Sequence, residues 1–181
     1  MHLSILGGIG IVGVLIISIL SPYRMARLVA YLDPWKDPLG KGFHIIQSLI
    51  AVGSGGFFGL GLGNSRQKFY YLPQQYADFI FAVLCEELGF LGACGLLLIF
   101  FIFFIRGIKI ASDAQDDFAS LLGFGLISMF FVQAVLNLMV VVGLVPTTGI
   151  PLPFVSYGGT AIVVNMFSAG LLANISKGII K

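Results

Sequence analysis

Asp78 is the residue best placed to do acid–base chemistry. It stands in Tyr76-Ala77-Asp78-Phe79-Ile80-Phe81-Ala82-Val83-Leu84-Cys85, so an apolar run begins immediately after it. A carboxylate at or inside membrane depth is costly and marks a functional site by default, and taking a proton from a hydroxyl is its simplest task. The competing reading is a helix N-cap, in which Asp accepts the free N–H groups of a helix that starts just downstream. On the residues alone the cap is favoured. Glu86 and Glu87 follow on the same stretch. In a helix Asp78 and Glu86 stand about 80° apart around the axis, whereas Glu87 points to the opposite face. Glu86 is therefore the acid that could share a site with Asp78.

Arg66 and Lys68 come just after residues 53–63, where six of eleven residues are glycine. Two readings stay open here. Dense glycines can present backbone N–H groups as an anion nest, with Arg66 and Lys68 holding a diphosphate. Equally, the stretch is a re-entrant loop, with both cations at headgroup level beside Tyr70 and Tyr71. No Lys-Ser/Thr follows and no Rossmann strand precedes, which argues against a nucleotide site. Residues 143–159 form a second outer loop, uncharged and punctuated by Pro146, Pro151 and Pro153. Such a segment either walls a cleft, with Ser156 and Tyr157 as hydrogen-bond donors, or is a plain hairpin between spans.

The elements that must position these groups lie in a membrane. Hydrophobic residues make up 58% of the 181 residues and charged residues 10%, well short of the roughly one quarter of a soluble domain. The fold class expected is an all-α integral membrane protein, one polytopic domain over residues 1–181. A helix needs about 20 apolar residues to cross the hydrocarbon core. Spans are expected at 3–20, 88–105, 119–142 and 160–175, with a long extracytoplasmic segment, 21–85, containing short helices. The first span has neither the basic flank nor the cleavage site of a signal peptide. Polar Ser128, Gln133, Asn137 and Asn165 within the later spans should face other helices. Arg106, Lys109, Lys177 and Lys181 flank the spans on what the positive-inside rule makes the cytoplasmic side. In the outer segment, Pro34 and Pro38 bracket a stretch expected to be non-helical. Residues 43–52 read as a short amphipathic helix lying on the membrane surface. A net charge of +2 is no basic field, so nucleic acid is excluded as a partner. Cys85 and Cys94 have no metal-ligand spacing around them and read as packing residues.

One ordered set of motifs goes further. Asp33-Pro34 with Asp37-Pro38, Gln47-Ser48, the glycines of 53–63, Tyr71-Leu72-Pro73, Asp78-Phe79-Ile80-Phe81, Glu86-Glu87-Leu88-Gly89 and Leu152-Pro153-Phe154-Val155-Ser156-Tyr157-Gly158-Gly159 occur in this order. Together they closely resemble the SEDS family (shape, elongation, division and sporulation), which includes FtsW, RodA and SpoVE. Ser65-Arg66-Gln67-Lys68 is more similar to the FtsW/SpoVE branch, while residues 43–47 have a RodA-like character. The resemblance implies a peptidoglycan glycosyltransferase that polymerises undecaprenyl-linked lipid II during cell division, on the outer face of the bacterial cytoplasmic membrane at the septum. It implies a class B penicillin-binding transpeptidase and other divisome membrane proteins as partners. It also places the family's essential aspartate on Asp78, reversing the preference for a cap. Arg66 and Lys68, with a divalent cation such as Mg or Mn, would neutralise the leaving diphosphate, and Glu86, Ser156 and Tyr157 would line the substrate cavity.

The chain departs from the family pattern at Gln74, where Glu is usual, at Ala77, where Thr is usual, and at Thr160-Ala161 in place of Ser-Ser. Family members also carry several further spans ahead of the four read here, so the chain is expected to be a fragment or one part of a split protein. Two other functions compete: a lipid II flippase, and a scaffold for the transpeptidase that catalyses nothing. A flippase needs polar residues through membrane depth. Here the glycines and cations cluster outside the spans, which favours chemistry on the outer face.

Overall fold

The computed structural model describes residues 31–40, 42–65 and 78–179. The expected span at 3–20 lies outside them. The described residues are helical and contain no strand: a 3-10 turn at Pro34–Lys36, then α1 (Phe43–Ser54), α2 (Ile80–Ser112), α3 (Asp117–Val141) and α4 (Gly159–Ile179). The last three are long and apolar enough to cross a membrane, and they coincide with the three later spans expected from the sequence.

α3 shows why these residues pack as they do. Its buried positions include Gly123, Ile127, Phe130, Ala134, Asn137 and Val141, steps of four and three that draw one stripe down the helix. The stripe faces α2, where small residues let the backbones approach. A Cβ on Gly107 would collide with the Ile127 side chain, and Gly123 lies against Ala111. The outward face of α2 is Leu97, Leu98, Ile99, Phe101 and Ile102, all exposed, as suits a helix whose solvent on that side is hydrocarbon. Cys85 belongs to the core, whereas Cys94 is exposed; neither forms a disulfide.

The ends of α3 are written locally. Asp116 accepts a hydrogen bond from the Ala119 N–H at 3.3 Å, an N-cap. At the other end Gly143 takes φ +71°, with Leu144 N–H donating to the Met139 carbonyl and Gly143 N–H to that of Val140. This is a Schellman cap, and it stops the helix where loop 143–159 must begin.

α2 is not one continuous helix. Gly89 sits at φ +67°, ψ −164°, a region open essentially to glycine alone. In an unbroken helix the Phe90 and Leu91 N–H groups would donate to the Glu86 and Glu87 carbonyls. Instead they donate to Gly56 and Phe57, while the two freed carbonyls accept from Leu60 and Gly61, all four bonds between 2.9 and 3.3 Å. The glycine-rich loop is thus inserted into the break. Its glycines permit contact between backbones: a Cβ on Gly55 would strike the Cys85 carbonyl, and one on Gly59 the Glu87 carbonyl. Beyond Gly89, α2 is still ~35 Å long at 1.5 Å per residue, enough for a hydrocarbon core of ~30 Å.

Two expectations for the outer segment are corrected. Residues 34–36 are not irregular but form a 3-10 turn with Pro34 in its opening position, where a missing N–H costs nothing. α1 does not simply lie on the membrane surface. Ile45, Ile46, Ser48 and Ala51 are buried, and Ser48 Oγ donates to the Val141 carbonyl at 2.8 Å. Its apolar face is packed on α2 and the end of α3, so α1 is part of the bundle. Tyr31 adds a further tie, its hydroxyl donating to the Leu144 carbonyl at 2.7 Å.

Candidate functional site

Asp78 is half-buried at the mouth of α2. The helix N-cap is Phe79, with no side-chain hydrogen bond, and the first helical residue is Ile80. The cap position that sequence reasoning offered to Asp78 is therefore taken by its neighbour. Phe79 is 4% exposed and belongs to the core together with Phe81 and Ala82, so the peptide carrying Asp78 is anchored on a packed element. The carboxylate faces loop 143–159: Asp78 Oδ2 lies 3.8 Å from where a Cβ on Gly149 would stand. Gly149 itself has φ +76°, a conformation that excludes most other residues. Here glycine serves both the turn and the close approach of the loop to the acid.

Loop 143–159 is held from inside the bundle. Gln133 Nε2 donates to the Pro151 carbonyl at 2.9 Å. Asn137 Nδ2 donates to the Ile150 carbonyl at 2.8 Å and to the Asp78 carbonyl at 2.9 Å. Leu152 and Pro153 are buried. Phe154 adopts φ +63°, unusual for a residue with a side chain, and its ring is clamped between Phe103 and Phe130 at centroid distances of 5.8 and 5.1 Å. Backbone strain maintained by packing in this way clusters at functional loops. The loop is a fixed wall beside Asp78, not a plain hairpin.

The other expected site residues separate. Ser156 is 3% exposed, and its hydroxyl oxygen accepts the Leu152 N–H at 2.7 Å. It ties the loop's own turn, and accepting that bond leaves the hydroxyl hydrogen still able to donate. Tyr157, next to it, is 75% exposed and open to a ligand. Glu86 is 1% exposed, with Ser65 Oγ donating to its carboxylate at 2.5 Å. It sits at the junction of α2 with the glycine-rich loop, where the Leu60 N–H donates to its own backbone carbonyl. The anion-nest reading of residues 53–63 also changes, since the Gly59, Leu60 and Gly61 N–H groups are spent on carbonyls within the fold. Arg66 and Lys68 lie outside the described residues.

Asn137, Gln133 and Gly149 were missed as site residues by sequence reasoning. The signal was present for the two amides, four residues apart and hence on one face of an apolar span. Nothing in the sequence said which backbone they would meet. His44 was likewise passed over. Its ring stacks on Phe79 at 6.2 Å, and burial lowers its pKa from the usual 6.5, favouring the neutral ring.

Among the described residues no three of His, Cys, Asp and Glu come together. A groove of about 430 Å³ between α1, the glycine-rich loop and α2 is lined by apolar side chains and Cys85 and does not include Asp78.

The sequence matches the FtsW/RodA/SpoVE family, described as cell cycle proteins, over residues 1–179. It is 52% identical over 176 residues to stage V sporulation protein E of Bacillus subtilis (strain 168), covering 97% of this chain and 48% of that protein. It is 44% identical over 171 residues to "Probable peptidoglycan glycosyltransferase FtsW" of Geobacter sp. (strain M18), covering 94% of this chain and 47% of the relative. The fold is similar to a solved structure described as "Structural coordination of polymerization and crosslinking by a peptidoglycan synthase complex". That similarity has a TM-score of 0.71 and 32% identity, and covers 98% of this chain and 48% of the other. The chain spans about half the length of the curated relatives it matches.

Proposed function

This chain belongs to the FtsW/RodA/SpoVE family of cell cycle proteins, and from that premise we propose that it forms the Asp78-bearing half of a peptidoglycan glycosyltransferase that polymerises lipid II. The observation that carries the reading is the pairing of Asp78 with loop 143–159. A half-buried carboxylate at the end of a membrane-spanning helix faces an uncharged, rigid wall, with the Gly149 Cβ position 3.8 Å from its oxygen. An uncharged wall suits a neutral sugar, and a wall pinned at Gln133, Asn137 and Phe154 fixes where an acceptor hydroxyl can lie.

In the reaction, Asp78 takes the proton of the acceptor sugar's 4-hydroxyl as that oxygen attacks the anomeric carbon of the growing chain. The new glycosidic C–O bond forms while the bond to undecaprenyl diphosphate breaks, and the electron pair leaves with the diphosphate. Arg66 and Lys68 neutralise the departing charge, and Tyr157 offers a hydroxyl to the sugars. The outcome is inversion. Retention requires a second carboxylate about 5 Å from the first, and the nearest acid along α2, Glu86, is enclosed with Ser65. The partner is a class B penicillin-binding transpeptidase, which crosslinks the product, within the divisome at the septum of the bacterial cytoplasmic membrane.

The experiment is lipid II polymerisation in liposomes by the protein with its transpeptidase, wild type beside Asp78→Asn. Glycan strands from wild type alone support the reading. Equal strands from both overturn Asp78 as the base, and lipid II translocation without any polymerisation by wild type would favour a flippase.

A further inference from the structure

Asn137 makes a connection that the proposed chemistry leaves unexplained. It lies on α3 in a membrane span, 1% exposed, and its side-chain NH₂ has two hydrogens to give. Both are committed, one to the Ile150 carbonyl at 2.8 Å and one to the Asp78 carbonyl at 2.9 Å. A single amide group therefore couples two segments 59 and 13 residues away along the chain, the peptide of the candidate base and the wall it faces. Asp78 precedes α2 and Ile150 lies in irregular backbone, so both carbonyls stand outside the regular helices. Peptide carbonyls that are buried away from water need a hydrogen-bond donor within the fold.

Packing alone would not select this residue. Asn137 Oδ1 is buried and has no hydrogen-bond partner among the described residues, a cost that an apolar side chain of similar size would avoid. Gln133, one turn away, provides the contrast: its amide donates to the Pro151 carbonyl at 2.9 Å, a bond to the loop, whereas Asn137 bonds the loop and the Asp78 peptide together. Fixing the loop and fixing the base are thus separable tasks on one helix face.

We propose that Asn137 is the positioning residue of the glycosyl-transfer base: by bridging the Asp78 and Ile150 carbonyls it holds the Asp78 carboxylate at a set distance from the wall that seats the acceptor sugar. This rests on the reading of Asp78 as the base. Displacing a reacting group by about 1 Å can cost on the order of 100-fold in rate, and that is the scale of effect expected in kcat.

The test compares Asn137→Leu, Gln133→Leu and Asp78→Asn in the complete protein, reconstituted with its transpeptidase in liposomes and supplied with lipid II. Asn137→Leu should lower kcat on the order of 100-fold with little change in KM, while Gln133→Leu, which frees only the loop, loses clearly less. Thermal unfolding midpoints should fall together in these two variants, since each loses contacts to the same loop. If the two lose kcat equally, Asn137 is only a loop anchor and the proposal is overturned. It is also overturned if Asn137→Leu keeps wild-type kcat. Should Asn137→Leu not fold, Asn137→Asp keeps the shape and offers at most one donor. It should have a reduced kcat, and a wild-type value would sink the idea. An Asp78→Asn variant with full activity would instead remove the base assignment itself, whatever Asn137 does.

Discussion

Replacing Gly89 with alanine tests whether the break in α2 is built into the fold by the glycine-rich loop. With the break retained, the substituted residue must hold φ near +67°, ψ near −164°, a strain of about 1–3 kcal/mol for a residue with a Cβ. That Cβ would also collide with the Gly59 amide nitrogen and lie 2.8 Å from the Phe57 carbonyl. The alternative is to straighten. Alanine is the best helix former, and a continuous α2 would recover two bonds, Phe90 to Glu86 and Leu91 to Glu87. It would forfeit the four that dock the loop. At about 1 kcal/mol each, the net loss is ~2 kcal/mol, so both routes cost a similar amount. A shift of ~2 kcal/mol opens the docked loop ~30-fold more often.

Hydrogen exchange in nanodiscs reads this directly. The Leu60 and Gly61 amides should exchange ~30-fold faster in Gly89→Ala, while helix content by circular dichroism is unchanged or rises. Polymerisation should drop as well, because straightening re-aims the first turns of α2 and with them Asp78. Gly95→Ala is the control: it lies on the same helix, with nothing within 4 Å of a new Cβ, and should be neutral or stabilise by up to ~1 kcal/mol. Wild-type protection of Leu60 and Gly61 in Gly89→Ala would refute the docking account.

Two further outcomes follow from local structure. Burial lowers the His44 pKa from 6.5, so the folded state takes up fewer protons than the unfolded chain; stability is complete above about pH 6.5 and declines as pH falls below it. His44→Phe, which keeps a ring between Phe43 and Phe79, should flatten the unfolding midpoint between about pH 7 and pH 5; an unchanged slope would clear His44 of the effect. Asp116→Ala removes the cap on α3 and should cost about 1 kcal/mol in thermal unfolding, with Asp116→Asn close to wild type, and equal losses from both would mean that charge, not capping, is what Asp116 contributes.

The residues by themselves determined a good deal. Long uncharged, mostly apolar runs are most stable as membrane-spanning helices, and those at 88–105, 119–142 and 160–175 fall within or close to α2, α3 and α4. The family was legible in an ordered set of motifs, and it was that resemblance, not the setting of the residue, that turned Asp78 from a helix cap into the candidate base. Glycine density announced unusual backbone at residues 53–63, and prolines did the same for the second loop.

What those segments touch was decided only in three dimensions. Composition cannot say that the glycines serve a backbone-to-backbone docking on Gly89, since an anion nest demands the same residues. The helical wheel put Glu86 on a face close to that of Asp78, but a wheel has no neighbours, and only the fold shows that Glu86 is buried with Ser65 beside the inserted loop. Ser156 read as a donor because hydroxyls donate to ligands; in the fold its nearest partner is the Leu152 N–H four residues back. Asn137 was legible as a polar residue in a span that must find a partner, yet its two partners lie 59 and 13 residues away. Periodicity reports which face of a helix is buried, because that depends on local geometry alone. Which distant carbonyls meet on that face depends on how the helices cross and where the loops return, and that is a property of the packed chain.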